Sequence, residues 1–131
     1  MKKEFVIDLK DANNDRDVFD AFNIAFRDVF KHYSWRIHIW DALHDFLWGL
    51  IQGPEVDGLD SDFYRDVDEI YIKVINSHHL ATVHADFVKS KNESVLEALQ
   101  ESFAHIMREQ AKRTTPEDLP IFRNSKLEIV S

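Results

Sequence analysis

The chain has 131 residues, of which 44% are hydrophobic, 31% are charged and none is cysteine, and this length suffices for one domain with its own core, expected over residues 1–131. Without cysteine there is no thiol catalysis, cysteine-ligated zinc or disulfide scaffold, and three glycines leave no phosphate-binding loop of the GxGxxG or GxxxxGK type. No apolar run approaches the ~20 residues of a membrane span, and the first residues lack a secretory hydrophobic region, so we expect a cytoplasmic protein.

The first part of the chain predicts one strand and two helices. Apolar residues over Glu4–Leu9 favour a short strand, which polar turn formers end. Apolar residues at helical spacing then predict a helix that Asn14 or Asp15 can cap and that runs to about Phe30. A second amphipathic helix is expected over His38–Gln52.

The rest of the chain predicts two strands and two more helices. In chain order they are an acidic loop (54–68) with a short helical turn near Phe63, a strand (Ile70–Ile75), a short helix (His79–Val88), a longer helix opened by Asn92 or Ser94 and ending near Lys112, and a strand (Lys126–Val130). Strands separated by helices cannot be joined by hairpins. The order β-α-α-β-α-α-β therefore predicts an α/β fold with a small, mostly parallel three-stranded sheet and about four helices.

The net charge of −8 is concentrated in one region. Residues 37–70 contain nine acids and one base, and the other 97 residues contain 15 of each. A neutral body with one acidic region repels nucleic acid and anionic membranes and favours a cationic partner. The ordinary explanation, an acidic loop that keeps the protein soluble, accounts equally well for the acids of the loop.

The second predicted helix has an acidic side and an apolar side. At about 100° per residue, Asp41, Asp45 and Trp48 share one face, and the leucines take the other. Two carboxylates one turn apart repel each other by a few tenths of a kcal/mol. The pattern is typical of an ordinary solvated face or of a surface that meets a cation. On the fourth helix Glu101 and His105 also lie away from the apolar stripe, where they can form pairs within the helix.

Histidines near this acidic helix raise the hypothesis of a metal-dependent hydrolase. His38, Asp41, His44 and Asp45 lie within about two helical turns, and His44 with Asp45 could act as an acid–base pair. There is no HExxH spacing, however, and His44 lies off the face that the two aspartates share. We therefore expect no metal and no cofactor, and catalysis is a minor alternative.

The segment Trp40–Gly49, WDALHDFLWG, resembles the Asp-Ala-Leu-x-Asp-x-Leu-x-Gly helix of the barstar family of ribonuclease inhibitors. The opening Met1–Lys3, the residues Glu93–Leu96 that open the last long helix, and a terminal strand recur in the same order. The resemblance covers nearly the whole chain, and the second and fourth predicted helices are its most specific parts.

This resemblance implies a cytoplasmic immunity protein, or antitoxin, that blocks the active site of a basic ribonuclease with carboxylates in place of RNA phosphates. Such a protein is not an enzyme, needs no cofactor, and binds neither nucleic acid nor membrane; a monomer is favoured. The residues expected to bind the partner are Asp41, His44, Asp45, Trp48, Gly49, Glu101 and the aromatic residue before the helix, Trp35 or Tyr33.

The chain also departs from the family pattern. The run Trp35–His38 replaces a glycine, His44 and Phe46 differ from the family's helix, and residues 54–68 and 113–125 are insertions. The insertions could widen the contact surface, or the second could pack on the sheet edge. An alternative function therefore stays open, in which the same scaffold binds a basic toxin other than a ribonuclease.

Overall fold

The computed structural model describes residues 1–29, 37–52, 61–86 and 92–130, and it shows an α/β fold. Its helices and strands are β1 (Lys2–Asp8), α1 (Asp15–Ala25), α2 (Trp40–Gln52), β2 (Glu69–Ile75), α3 (Val95–Arg113), α4 (Pro120–Asn124) and β3 (Lys126–Ile129). Short 3₁₀ turns lie at Ser61–Tyr64 and His78–Thr82. The three-stranded parallel sheet, the mixed α/β class and, in outline, the element order are confirmed. No helix within these ranges is long and apolar enough to cross a membrane.

The central strand of the sheet is β2, which pairs in parallel with β1 on one side and β3 on the other. In this register Ile72 lies between Phe5 and Leu127. Along β2 the side chains of Ile70, Ile72 and Val74 are buried, and the residues between them are half-buried. Because successive side chains of a strand point to opposite faces, one face of the sheet supplies the core and receives the helices.

Phenylalanines join the helices to the sheet. The ring of Phe26, just after α1, lies 4.4 Å from Phe5 of β1 and 5.0 Å from Phe46 of α2, centroid to centroid. Phe22 of α1 meets Phe103 of α3 edge to face at 6.4 Å. Such pairs contribute about 0.5–1.5 kcal/mol each beyond the area that they bury. They fix α2 and α3 on the same side of the molecule.

A buried carboxylate sets the position of the first turn of α2. Asp15, the first residue of α1, is fully buried. Its Oδ2 accepts a hydrogen bond from Trp40 Nε1 at 2.7 Å, and its Oδ1 accepts one from the backbone N–H of Asp86 at 3.0 Å. A buried charge is tolerated only when it is hydrogen-bonded. The carboxylate thus connects the starts of α1 and α2 with the segment that precedes α3.

Helix α1 is shorter than predicted. Asn14, not Asp15, is its N-cap, and the Asn14 side chain accepts from the N–H of Asp17 at 2.9 Å. The helix ends at Ala25, whereas the apolar periodicity predicted an end near Phe30. Residues 26–29 form turns instead, and both Phe26 and Val29 are buried. The apolar pattern continues past the helix because these turn residues also belong to the core.

The predicted helix over His79–Val88 is wrong in its extent. A 3₁₀ turn covers His78–Thr82, and Val83 and Ala85 then form backbone hydrogen bonds with Val95 and Glu93. Because the backbone groups of this segment pair with another part of the chain, they cannot continue a helix. Residues 87 and 88 lie outside the described residues.

Residues 113–125 contain a helix that the sequence did not predict. Helix α4 has Pro120 in its first turn, where the missing N–H costs nothing. Ile121 and Phe122 are buried, and Gln110 Nε2 of α3 donates to the carbonyl oxygens of Phe122 and Ser125. This segment therefore packs against α3 and becomes part of the core.

Candidate functional site

The acidic side of α2 faces solvent. Asp41 and Asp45 are exposed, and 80% of the Asp45 side chain is accessible. Within the part of the chain that the structure describes, no lysine or arginine lies within ion-pair distance of either carboxylate. The opposite side of the helix is buried at Leu43, Leu47 and Leu50. The predicted division of this helix into an acidic and an apolar side is confirmed.

Helix stability accounts for the position of Asp41 better than for that of Asp45. Asp41 lies in the first turn of α2, where the helix dipole favours a negative side chain by about 0.3–1 kcal/mol. Asp45 lies one turn later, where that effect has faded. It forms an ion-pair contact with His44, whose Nδ1 lies 3.5 Å from Asp45 Oδ1. Asp45 is therefore the carboxylate whose position helix stability explains least.

A pair of histidines connects α2 to α3. Nε2 of His44 and Nδ1 of His105 lie 2.8 Å apart, a hydrogen-bonding distance at which one ring donates and the other accepts. The second ring nitrogen of each histidine faces a carboxylate: His44 Nδ1 lies 3.5 Å from Asp45, and His105 Nε2 lies 4.0 Å from Glu109 Oε1. We call the four residues Asp45, His44, His105 and Glu109 the histidine relay.

The contacts between the two helices indicate where Glu101 lies. Moving along α2 from His44 to Trp48, the α3 contacts move from His105 to Arg113. The two helices therefore run in broadly the same direction where they meet. Glu101 precedes His105 by one turn on α3, as Asp41 precedes Asp45 by one turn on α2. Both helices thus carry a carboxylate toward the same end of the contact.

Glu101 belongs to a group of three carboxylates at the start of α3. The pKa of Glu93 is raised to about 7, first by burial and then by a hydrogen bond to the Glu101 carboxyl and the negative charges of Glu101 and Glu97. Two carboxyl groups can share a hydrogen bond only when one holds a proton. We use the name acidic face for the exposed carboxylates of α2 and of the first turns of α3 together with Glu93: Asp41, Asp45, Glu93, Glu97 and Glu101.

Trp48 is less exposed to a binding partner than its position on the acidic side of the helix suggested. It is half-buried; its ring meets Phe122 of α4 edge to face at 5.7 Å, and the guanidinium of Arg113 lies 5.3 Å from its centre. Gly49 is buried. Trp48 thus borders the acidic face and is covered in part by α4, and Gly49 lies beneath the surface.

Other residues expected at the site are placed as follows. Tyr33 and Trp35 lie outside the described residues, so their contact with a partner stays a prediction. His38 is exposed, and His44 is half-buried between α2 and α3. Within the described ranges no three histidine, aspartate or glutamate side chains converge as a metal site would require. The carboxylate–histidine arrangement in the structure is the relay, which joins two helices.

His105, Glu93 and Glu109 are functional candidates that the sequence analysis did not single out. The sequence placed His105 on the polar side of its helix, but its partner, His44, is 61 residues away. Periodicity reports the face of one helix and contains no signal for contacts between helices.

No family model, curated protein or solved structure matches the chain. The function is therefore inferred from the residues of the site and their geometry.

Proposed function

We propose that the protein is a cytoplasmic inhibitor of a basic ribonuclease, an immunity protein or antitoxin that blocks the nuclease active site with its acidic face. The carboxylates of Asp41, Asp45 and Glu101 take the places that RNA phosphates occupy in the nuclease. The observation that carries the proposal is that Asp41 and Asp45 are exposed one turn apart, with no lysine or arginine of the described residues within ion-pair distance. The barstar-like pattern of α2 supports the choice of a ribonuclease as the partner.

Electrostatics explain why such a face favours a cationic partner. Like charges one turn apart disfavour the free protein by a few tenths of a kcal/mol. An arginine or lysine of a partner reverses the sign of that contribution, and an acidic surface raises the rate of encounter with a basic protein by about 10- to 1000-fold at low salt. RNA-cleaving sites bind a polyanion and therefore present cations. A ribonuclease active site thus has the charge that this face lacks.

Capture from the native host tests the proposal directly. Tagged protein should retain a basic protein at low salt and release it at high salt, because salt screens exposed charges. The captured protein must cleave RNA, and one equivalent of the inhibitor must abolish that cleavage. If the captured protein is basic but leaves RNA intact, the ribonuclease assignment is wrong and the alternative, an immunity protein for another basic toxin, replaces it.

Two variants assign the interaction to the acidic face. Asp45→Ala should weaken inhibition of the captured nuclease by more than tenfold, since a desolvated charge pair is worth about 2–5 kcal/mol when one partner is removed. Its urea midpoint should stay within error of the parent. The matched control is Asp20→Ala, which removes an exposed aspartate from α1. Equal inhibition by Asp45→Ala and the parent would contradict the proposed role of the acidic face.

A further inference from the structure

The contacts of the histidine relay depend on how many protons its two imidazole rings hold. The 2.8 Å contact between His44 Nε2 and His105 Nδ1 needs one N–H and one lone pair. The two outer ring nitrogens face the carboxylates of Asp45 and Glu109, which favour an N–H on each. The hydrogen bond between the rings and the two longer ion-pair contacts, at 3.5 and 4.0 Å, are favourable together when the two rings hold three protons in total. That number corresponds to one positive charge on the pair.

Both other protonation states lose a contact. With one proton fewer, both rings are neutral, and one outer nitrogen turns a lone pair toward a carboxylate. With one proton more, two N–H groups face each other between the rings, and a 2.8 Å contact cannot persist. Histidine is the side chain whose charge ordinarily changes between pH 5 and 8. The contact between α2 and α3 therefore depends on how many protons the two rings hold.

The ionisable groups around the relay are of both signs. Lys112 Nζ lies 3.6 Å from Glu109 Oε1 and shares that carboxylate with His105. Among the described residues, the ionisable groups on the turns of α2 and α3 that adjoin the relay are Asp41, Asp45, Glu101, Arg108, Glu109, Lys112 and Arg113. The elements packed against these helices add Arg123 on α4 and His78 and His79 on the 3₁₀ turn beside α3. The relay therefore lies among groups of both signs.

We propose that protons regulate the acidic face: the relay closes when its two rings share one added proton, opens when they take a second, and leaves the face fully negative when they give up the first. This inference rests on the proposed function, because it concerns how tightly that face holds a cationic partner. The partner should bind more tightly near pH 8 than near pH 6, since the face gains negative charge across that interval.

Glu93 changes charge in the same direction. Its pKa of about 7, raised by burial and by the Glu101 carboxyl, means that it ionises as the pH rises through neutrality. The relay loses a positive charge over the neutral range, and Glu93 gains a negative one. The two groups consist of different residues and act in the same sense, so the charge of the face changes more with pH than either group alone would allow.

Proton counting in the free protein tests the relay without any partner. Imidazole ¹⁵N and ¹H resonances should show that His44 and His105 take up one proton jointly and a second in a separate step at lower pH, with shifts of α2 and α3 amides accompanying the second step. His78, exposed and outside the relay, is the internal reference. If the two rings titrate independently of each other, and the amides of α2 and α3 do not respond, the inference is overturned.

Binding of an oligoarginine peptide tests the consequence for the acidic face, because arginine stays charged throughout. Two charges on the face should strengthen binding about tenfold from pH 6 to pH 8, roughly threefold for each. The double variant His44→Gln/His105→Gln, which removes both rings, should reduce the change to about threefold, and His78→Gln should behave like the parent. If the double variant keeps the full change, the relay does not regulate the face.

These outcomes are separate from those of the proposed function. If the relay titrates as described but the protein captures no ribonuclease, the regulation by protons stands and the assigned partner is wrong. If the two rings titrate independently but the protein inhibits a ribonuclease, the regulation by protons is wrong and the inhibitor function stands.

Discussion

Replacing Trp40 by phenylalanine tests whether the buried Asp15 carboxylate fixes the start of α2. The indole Nε1 of Trp40 donates to Asp15 Oδ2 at 2.7 Å inside the core. Trp40→Phe keeps an aromatic ring next to Phe19, which it meets edge to face at 5.0 Å, but it removes the donor. A hydrogen bond to a charged group contributes about 1.5–3 kcal/mol. The variant should stay folded, since domains have about 5–15 kcal/mol of stability in total.

A double-mutant cycle isolates that bond from the change in ring size. Urea unfolding of the parent, Trp40→Phe, Asp15→Asn and the double variant should give a coupling free energy of about 1.5–3 kcal/mol, with equal urea dependence in all four. The control is the same substitution at Trp48, which is half-buried against Phe122. Trp48→Phe should show no coupling to Asp15→Asn. A coupling below about 0.5 kcal/mol between Trp40 and Asp15 would refute the reasoning, because independent sites add within that error.

Three further predictions concern single side chains. Ser94→Ala removes the capping box of α3 and should lower the free energy of unfolding by about 1 kcal/mol in urea, whereas Ser77→Ala, whose hydroxyl is buried without a partner among the described residues, should be neutral or stabilising; equal losses would contradict this. Asn76, at φ 58°, should tolerate glycine and lose about 1–2 kcal/mol as valine in thermal unfolding, and an unaffected valine variant would rule out the backbone argument. Glu101→Gln should lower the pKa of Glu93 from about 7 in a carboxyl ¹³C titration, yet not to its ordinary value, because burial, the larger cause, persists; an unchanged pKa would show that Glu101 plays no part.

The sign of the Glu93 effect on stability follows from its raised pKa. Glu93 binds its proton more tightly in the folded than in the unfolded protein. Its contribution to stability is therefore complete below the ordinary glutamate pKa and is lost as the pH rises through about 7. In Glu101→Gln the decline in stability should shift to lower pH.

Local patterns predicted most of the fold. The strand over Ile70–Ile75 and the two long helices carry strong periodic signals, and the spacing between strands required parallel crossovers. The end of α1 and the extent of the helix after His79 could not be predicted, because both depend on contacts with distant parts of the chain. Turn residues that enter the core have the same apolar spacing as a helix, and a segment that pairs its backbone elsewhere has no local signature.

In the candidate site, too, features of one helix could be predicted from the sequence, and contacts between elements could not. The exposure of Asp41 and Asp45 follows from the period of α2 alone. The half-burial of Trp48 could not be predicted, because the residue that covers it, Phe122, belongs to a helix that the loop-like composition of residues 113–125 concealed. The approach of His44 to His105 likewise depends on the packing of two helices.

The parallel sheet also constrains the order in which the chain can fold. Lys2 pairs with Glu69, and Tyr71 pairs with Lys126, so each strand partner is separated by much of the sequence. Contacts of this kind give a high contact order and slow folding, because a long loop must close before any pairing can compensate for its lost entropy. During translation the second edge of the central strand β2 stays unpaired until β3, which begins at Lys126, has left the ribosome. A nascent chain halted before that residue exposes an unpaired strand edge and is open to aggregation.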